Sequence, residues 1–431
     1  MSRKIWFWPI YILVLVGVTL AGTEFIASFL VPTWPARDIR PISAEALGAN
    51  VATVFADSPE LIPLYNDWGV RDRPRTFARP LNVHFRSILV GDSFLEGYYV
   101  PFPLSVLIER RWTEKGRPDA EAINLGVAAT GPRQYYYRIK RVALEMQPDA
   151  IVVFVYAGND FIQRRFDDFA LPAFAEELPV PSVLGTIAPR TDWLLSNRFG
   201  LSELGRGNKD IPGETALLNE WAEKPTPELT ERVARHMHEY YYPKTGIDTI
   251  REILSRGGDR FRTAVDTQRK ADREHLAGWL LSGLIDWETG QWPVPRDAQE
   301  ADRLVDTAAV DATLSWLVAA EQLAKAKGVK LIVALAPVGV VDPSYVAFWQ
   351  PWSRYFSYQW SADARHRRLA AELRQRGMNI VDLRDDLEGV RGTYRLTDGH
   401  WTELGTRIAA DRVSRALLPS VEASGKHERG E

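Results

Sequence analysis

Cysteine is absent from the 431 residues of this chain, which excludes disulfide bonds, thiolate metal sites, cysteine nucleophiles and lipidation on cysteine. The absence says little about compartment, because a core of this size does not need disulfides. An excess of charge is also lacking: 53 Lys and Arg against 56 Asp and Glu leave a formal net charge of −3. The chain therefore offers no general electrostatic field for nucleic acid. Its composition, 45% hydrophobic and 25% charged, is that of a folded protein.

Histidine is scarce, with 7 residues, and its spacing gives no metal motif. His236 and His238 are two positions apart, so on a helix they point to different faces. The chain has no HExxH sequence, no EF-hand loop and no glycine-rich phosphate loop. We therefore expect neither a metal nor a cofactor.

Long apolar runs are confined to the N-terminus, residues 1–31, where Arg3 and Lys4 precede an apolar stretch. A stretch of roughly 20 apolar residues can cross a bilayer as a helix. We interpret it as a single-pass signal anchor in the inner membrane, with the lipid bilayer as partner and the rest of the chain in the periplasm. A cleaved signal peptide is the alternative. Arg37 and Arg40, on the far side, weaken the predicted orientation.

The remaining sequence alternates short apolar runs with helical patterns. Residues 32–85, which begin with a proline-rich stretch, are predicted to be a linker and lead-in segment. Continuously apolar strands separated by helices predict a parallel sheet covered on both faces, a three-layer α/β fold. The predicted strands are residues 87–90, 122–125, 150–156, 331–335 and 380–383.

This rhythm breaks once along the chain. The core is predicted in two parts, residues 86–160 and 306–420, separated by a mainly helical insertion at 161–305. The insertion is strongly charged and has none of the continuously apolar runs that predict buried strands, so it is predicted to be a helical cap or a subdomain. Residues 421–431 are predicted to be a flexible tail. The helix after the fourth strand is expected to be capped by Ser361.

Polar or glycine-containing turns follow three of the predicted strands, and a fourth polar segment precedes the last helix. In an open parallel sheet such turns meet beyond the carboxyl ends of the strands, where ligands bind. One serine, one glycine, one asparagine and one histidine are thereby expected at a single edge. The segments are Gly91-Asp92-Ser93, Gly126, Gly158-Asn159-Asp160 and Asp398-Gly399-His400.

These residue types suit acyl transfer through a serine. A serine hydroxyl becomes nucleophilic when a base takes its proton, and an imidazole does so near neutral pH. We therefore predict Ser93 as nucleophile, His400 as base and Asp398 as the group that orients His400. The backbone N–H groups of Ser93 and Gly126, with the Asn159 amide, are the predicted oxyanion donors.

The four segments together resemble the SGNH, or GDSL, hydrolase family. Gly91 to Gly97 is similar to its first block, Asn124 to Gly126 to its second, Gly158 to Asp160 to its third and Asp398 to His400 to its fifth. The resemblance covers about residues 86–160 and 306–417. It implies a flavodoxin-like sandwich with a five-stranded sheet, and ester hydrolysis or acyl transfer with Gly126 and Asn159 as oxyanion donors.

One block departs from the family pattern. The family places its aspartate three residues before the histidine, whereas position 397 is threonine and Asp398 lies two before His400. The run from Asp398 to Thr402 instead resembles polysaccharide O-acetyltransferases related to the family, which place this pair before their serine. Here the pair follows the serine, as in the hydrolases. The departure leaves the acyl acceptor open, but not the acyl-serine chemistry.

Aromatic residues crowd one segment, 345–360, after the fourth strand. Such rings can stack on sugars, and we predict substrate contact for two of them and for three aromatic residues that adjoin the motif segments. The alternative is that they pack the insertion onto the sheet, since aromatic residues dominate cores. The predicted substrate-binding residues are Tyr98, Tyr99, Trp349, Trp352 and Trp401.

The sequence thus predicts an extracytoplasmic serine esterase that removes acyl groups, such as acetyl, from a cell-envelope carbohydrate. Two alternatives remain open: a polysaccharide O-acetyltransferase that uses the same site, and a non-catalytic binding module with the same fold. Ser93 could instead serve only as a helix cap, and Asn159 only as a turn residue.

Overall fold

The computed structural model describes most of the chain. The described residues are 7–30, 70–73, 75–97, 100–128, 130–161, 187–188, 190–191, 213–257, 260, 284–290, 294–396 and 399–429.

Five strands form one parallel sheet with the order β2-β1-β3-β4-β5. Most of their residues are apolar and nearly all are buried, as expected of a sheet covered on both faces. The predicted parallel α/β sheet is therefore confirmed. The strands are β1 (Phe85–Gly91), β2 (Ala120–Gly126), β3 (Ala150–Tyr156), β4 (Lys330–Ala336) and β5 (Ile380–Asp382).

Besides the five strands and two short 3₁₀ helices, thirteen α-helices have defined bounds among the described residues. They are α1 (Phe7–Leu30), α2 (Ser93–Glu96), α3 (Leu104–Glu114), α4 (Pro132–Arg141), α5 (Glu214–Glu223), α6 (Pro227–Tyr240), α7 (Ile247–Ser255), α8 (Ala298–Arg303), α9 (Thr307–Ala326), α10 (Pro343–Trp349), α11 (Ser353–Gln375), α12 (Arg384–Leu387) and α13 (Glu403–Arg429).

The two faces of the sheet bury different sets of side chains, because successive residues of a strand point to opposite sides. On β1, Phe85 and Leu89 belong to one hydrophobic cluster, which also contains residues of α3 and α13. Ile88 and Val90 belong to the other cluster, which contains residues of α4, α9 and α11. The result is three layers, helices on either side of a central sheet.

Three predicted element boundaries are wrong. The sequence pattern of residues 133–146 predicts one helix that ends at Met146, but the helix α4 ends at Arg141. Residues 143–146 form a 3₁₀ turn, and the carbonyl of Met146 accepts a hydrogen bond from Arg86. Ser361 does not cap a helix. It lies inside α11, which begins at Ser353, and its hydroxyl donates to the Ser357 carbonyl.

The C-terminal tail is the third difference. The helix α13 continues past Ser420 to Arg429, where a flexible tail was predicted. Arg117 holds the first turn of this extension, because its guanidinium donates to the Val421 carbonyl and to the Ser424 hydroxyl, and the Val421 side chain is buried.

The insertion is mainly helical in its described residues, most of which are 213–257, 284–290 and 294–305, and contains no strand among them. Its helices α5, α6 and α7 contribute Trp221, Val233 and Ile253 to the same hydrophobic cluster as one face of the sheet. The predicted limits of the two core parts and of the insertion stay predictions.

Among the described residues, the helices fall short of the combined length and apolar character that crossing a membrane requires. The structure therefore gives no support to the transmembrane anchor predicted for residues 1–31.

A buried ionic cluster joins the lead-in segment to the start of the sheet. Arg86, fully buried in β1, donates to the carboxylate of Glu121 in β2 and to the carbonyl of Phe77. Arg75 donates to Asp72 and to Glu109, and its side chain is 1% exposed. Buried charges of this kind hold a segment firmly only while every partner is present.

Replacing Glu121 by alanine is expected to lower the free energy of unfolding by about 3–5 kcal/mol, because the change leaves the Arg86 charge buried without its carboxylate. Urea unfolding followed by circular dichroism measures the loss. Glu114→Ala is the matched control: its pair with Arg111 is exposed, so a loss below about 1 kcal/mol is expected. Similar losses in the two variants would contradict this account of the cluster.

Candidate active site

The first motif folds into a tight turn at the carboxyl end of β1. Ser93 is the first residue of the single-turn helix α2, and Asp92 caps it by accepting a hydrogen bond from the Phe94 N–H at 3.0 Å. Gly97 closes the turn with a left-handed φ of 71°, a conformation that favours glycine. This local structure leaves the Ser93 side chain half-buried at the sheet edge rather than in the core.

His400 reaches the same point from the other end of the chain. Its Nε2 lies 2.8 Å from the Ser93 Oγ, a hydrogen-bond distance, although the two residues are 307 positions apart. The structure thus brings together the predicted nucleophile and the predicted base. Asp398, the residue predicted to orient His400, lies outside the described residues.

The loop that carries His400 is fixed by a buried carboxylate that the sequence analysis missed. Asp342, with no exposed surface, caps α10 and accepts hydrogen bonds from the backbone N–H groups of Gly392, Thr393 and Tyr394. The Asp-Pro pair at a helix start signalled the cap, but nothing local signalled the contact with residues 392–394. The loop then returns through the Arg395 N–H, which donates to the His400 carbonyl at 2.7 Å.

An aromatic ring adjacent to the nucleophile packs against the imidazole. The Phe94 ring stacks with that of His400, with centroids 4.8 Å apart and planes at 22°. It also stacks with Tyr156 at 3.9 Å and meets Trp401 edge-on at 5.0 Å. Trp401, predicted to bind substrate, is 3% exposed, and its ring packs against Phe94. These contacts limit the orientations open to the imidazole.

The predicted oxyanion donors lie around the same turn but are engaged in different ways. Asn159 donates through its Nδ2 to the Asp92 carboxylate at 3.1 Å, so its amide is held beside the serine turn. Gly126 packs directly on α2: a Cβ there would lie 2.4 Å from the Glu96 nitrogen, so only glycine fits. The Gly126 N–H donates to the Asn124 side chain at 2.8 Å.

Burial governs the electrostatics beneath the site. Burial raises the pKa of the Asp92 carboxyl, although the hydrogen bonds from Phe94 and Asn159 and the nearby His400 oppose the rise. Asp160, also buried, accepts hydrogen bonds from the Tyr135 hydroxyl and the Tyr156 N–H. It holds the turn after β3, which carries Asn159.

Two predicted substrate-binding tryptophans are in the core. Trp349 is 3% exposed and Trp352 is fully buried, with its indole N–H donating to the Ile253 carbonyl of α7 at 2.8 Å. A ring enclosed by protein has no open face for a sugar, so the structure agrees with the alternative in which these rings pack the insertion on the sheet. Tyr98 and Tyr99 lie outside the described residues.

The described residues contain no cluster of histidine and acidic side chains that could hold a metal ion. Buried His366, which had no recognisable partner in the sequence, contacts the Asp382 carboxylate at 2.8 Å. That pair lies at the end of β5, apart from the described contacts of Ser93 and His400.

Replacing Asp342 by alanine is expected to destabilise the protein by about 3 kcal/mol, because buried backbone N–H groups in the 392–394 loop and in α10 lose their acceptor. Chemical unfolding measures the change. Asp311→Ala, at an exposed position of α9, is the control and is expected to stay within about 0.5 kcal/mol of the parent chain. Equal stability of the Asp342 variant and the parent would show that the carboxylate does not hold the loop.

About a third of the chain, at its C-terminal end, is similar to a known family. Residues 295–430 match the family described as "SGNH hydrolase-like domain, acetyltransferase AlgX". The match confirms the predicted resemblance of the chain to the SGNH hydrolase family. The match includes His400 and the last two strands, and Ser93 lies before it. No curated protein matches the chain.

Similarity to solved structures is weak. A GDSL-like lipase from Bacteroides thetaiotaomicron is 10% identical, with a TM-score of 0.33, and the alignment covers 80% of this chain and 91% of that one. LAE5, an alpha/beta hydrolase enzyme from the metagenome of Lake Arreo, is 10% identical, with a TM-score of 0.31 and coverage of 78% and 95%. Similarities this low carry no weight for the fold or the function.

Proposed function

We propose that the chain is a serine acyl-transfer enzyme in which Ser93 takes an acyl group from an ester and passes it on. The contact of 2.8 Å between the Ser93 Oγ and the His400 Nε2 carries this proposal. An imidazole at that distance can accept the hydroxyl proton as the oxygen attacks, which is how serine nucleophiles are activated. The SGNH hydrolase-like match of residues 295–430 supports the same chemistry.

The proposed reaction has two halves. The Ser93 Oγ bonds to the acyl carbon while the His400 Nε2 takes its proton, and the tetrahedral intermediate then expels the alcohol, which leaves with that proton. An acyl-serine remains. In the second half, an acceptor hydroxyl gives its proton to His400 and attacks the acyl carbon, and the Ser93 oxygen recovers a proton as it leaves. Atoms and charge balance without a metal or a redox partner.

The negative charge of the tetrahedral intermediate needs donors. Ser93 begins a helix, so its backbone N–H has no acceptor within that helix. Asn159 is the second proposed donor, because its amide is already held beside the turn by Asp92. Gly126 is the third, and its N–H would first have to leave the Asn124 side chain. Asp398 is the proposed partner of the second His400 ring nitrogen.

Two acceptors are candidates: water, which makes the chain an esterase, and a carbohydrate hydroxyl, which makes it an O-acyltransferase. The order of Ser93 and His400 in the chain favours the esterase. The matched family, whose description names an acetyltransferase, and the Asp398 to Thr402 run favour the transferase. We propose acetyl transfer to or from a cell-envelope carbohydrate outside the cytoplasm. The carbohydrate and the compartment rest on the sequence alone.

A fluorophosphonate probe is expected to label Ser93, because such probes react with serines activated by a neighbouring base. Ser93→Ala should abolish labelling, and His400→Ala should slow it by about 10²-fold or more while leaving the fold intact. Mass spectrometry of the labelled peptide identifies the residue. The matched controls are Ser315→Ala and His238→Ala, both expected to label at the parental rate. An unlabelled parent chain would favour a non-catalytic binding module.

The acceptor is distinguished by turnover of an activated acetyl ester with and without oligosaccharide. Acetylated sugar, detected by mass spectrometry and absent in Ser93→Ala, is the outcome expected of a transferase. Acetate release that does not respond to the sugar is the outcome expected of an esterase. A chain that releases acetate at the rate of its Ser93→Ala variant would contradict both.

A further inference from the structure

A buried arginine lies beneath the two strand ends that form the candidate site. Arg138, on α4, is 1% exposed. Its Nη1 donates to the Gly91 carbonyl at 2.9 Å and to the Leu125 carbonyl at 2.7 Å. Its Nη2 donates to the Thr130 hydroxyl at 3.1 Å. One guanidinium thus binds main-chain carbonyls at the carboxyl ends of two neighbouring strands, β1 and β2.

The Gly91 and Leu125 carbonyls lie just before the segments that carry Ser93 and Gly126. Gly91 is the residue before Asp92-Ser93, and it pairs in register with Gly126 at the end of β2. Leu125 is the residue before Gly126, so its carbonyl and the Gly126 N–H belong to one peptide group. The Gly91 carbonyl also accepts the Val127 N–H at 3.0 Å, which ties the same two turns a second time.

Keeping a cation in this place is costly. Burial lowers the pKa of Arg138 to about 10, opposed by Tyr135 and by the carboxylates of Glu96 and Asp92. The guanidinium is therefore still charged near neutral pH. A methionine of similar volume would fill the space without that cost, but it would leave the Gly91 and Leu125 carbonyls without this donor. A role beyond packing is the simplest reason for a charge here.

We propose that Arg138 is a positioning residue of the acyl-transfer site. Its planar fork fixes the spacing between the Ser93 turn and the Gly126 turn, and its charge lies behind the peptide groups that lead into both. Such spacing matters because a displacement of about 1 Å at a reacting centre can cost about 10²-fold in rate. This inference rests on the proposed function of Ser93.

Arg86 provides a matched control in the same sheet. It is also a fully buried arginine that donates to main-chain carbonyls, those of Phe77 and Met146. It lies near the amino end of β1, however, whereas Arg138 binds the carboxyl end. Removing either guanidinium should disturb the packing, but only Arg138 contacts the turns that carry the candidate site.

The experiment uses the full chain and an activated acetyl ester, with active sites counted by fluorophosphonate titration so that unfolded molecules are not included. For Arg138→Met we expect kcat per labelled site to fall about 10- to 100-fold, with KM changed less than about 3-fold, because spacing at the reacting centre is lost. Arg138→Lys keeps the charge but loses the planar fork of donors, so its kcat per labelled site is expected to lie between those of the parent chain and Arg138→Met. Arg86→Met should keep kcat within about 2-fold while losing stability.

Each outcome decides the proposal. Unchanged kcat in Arg138→Met, or an equal loss in Arg86→Met, would overturn a positioning role. If Arg138→Met does not fold, Arg138→Lys decides: a folded lysine variant with parental kcat overturns the proposal, and one with reduced kcat and parental KM supports it. A parent chain that neither labels nor turns over would overturn the proposed function as well, which separates the two failures.

Discussion

The constraint on which the structure depends is the burial of one parallel sheet on both faces. Neighbouring parallel strands cannot be joined by hairpins, because the chain must return to the start of the sheet, and helices that cover its faces make this return. Because all five strands are parallel, their carboxyl ends lie along one edge. Polar residues that follow strands collect at that edge, and Ser93, Gly126 and Asn159 are there for this reason.

Polar groups can be buried along that edge because charged side chains make hydrogen bonds with the backbone N–H and carbonyl groups of the turns. Asp342 accepts hydrogen bonds from N–H groups of the loop that leads to His400, and Arg138 donates to the Gly91 and Leu125 carbonyls. Each of these groups is costly to bury and is compensated by several hydrogen bonds. Turns held by these hydrogen bonds have few alternative conformations. A site assembled from distant segments needs such rigid turns to keep its geometry.

Aromatic residues have two roles in the described structure. Phe94 lies between the rings of the site and fixes the approach of His400, whereas Trp349 and Trp352 join the insertion to the sheet. The second role explains why rings concentrated near a reactive edge need not touch a substrate. Their large apolar area is what fastens a charged, helical insertion to the core.

The sequence by itself determined the five strands, the parallel sheet and the four segments at its edge, because continuous apolar runs and strand-end glycines are local signals. It also supported the resemblance to the family that matches residues 295–430. Only the tertiary structure decided that His400 lies at hydrogen-bond distance from Ser93 and that Asp342 and Arg138 hold the turns of the site. It also decided that α13 extends to Arg429 and that Trp352 is buried in the core. The physical reason is distance along the chain: these features depend on contacts between residues tens to hundreds of positions apart, and no local pattern encodes such partners.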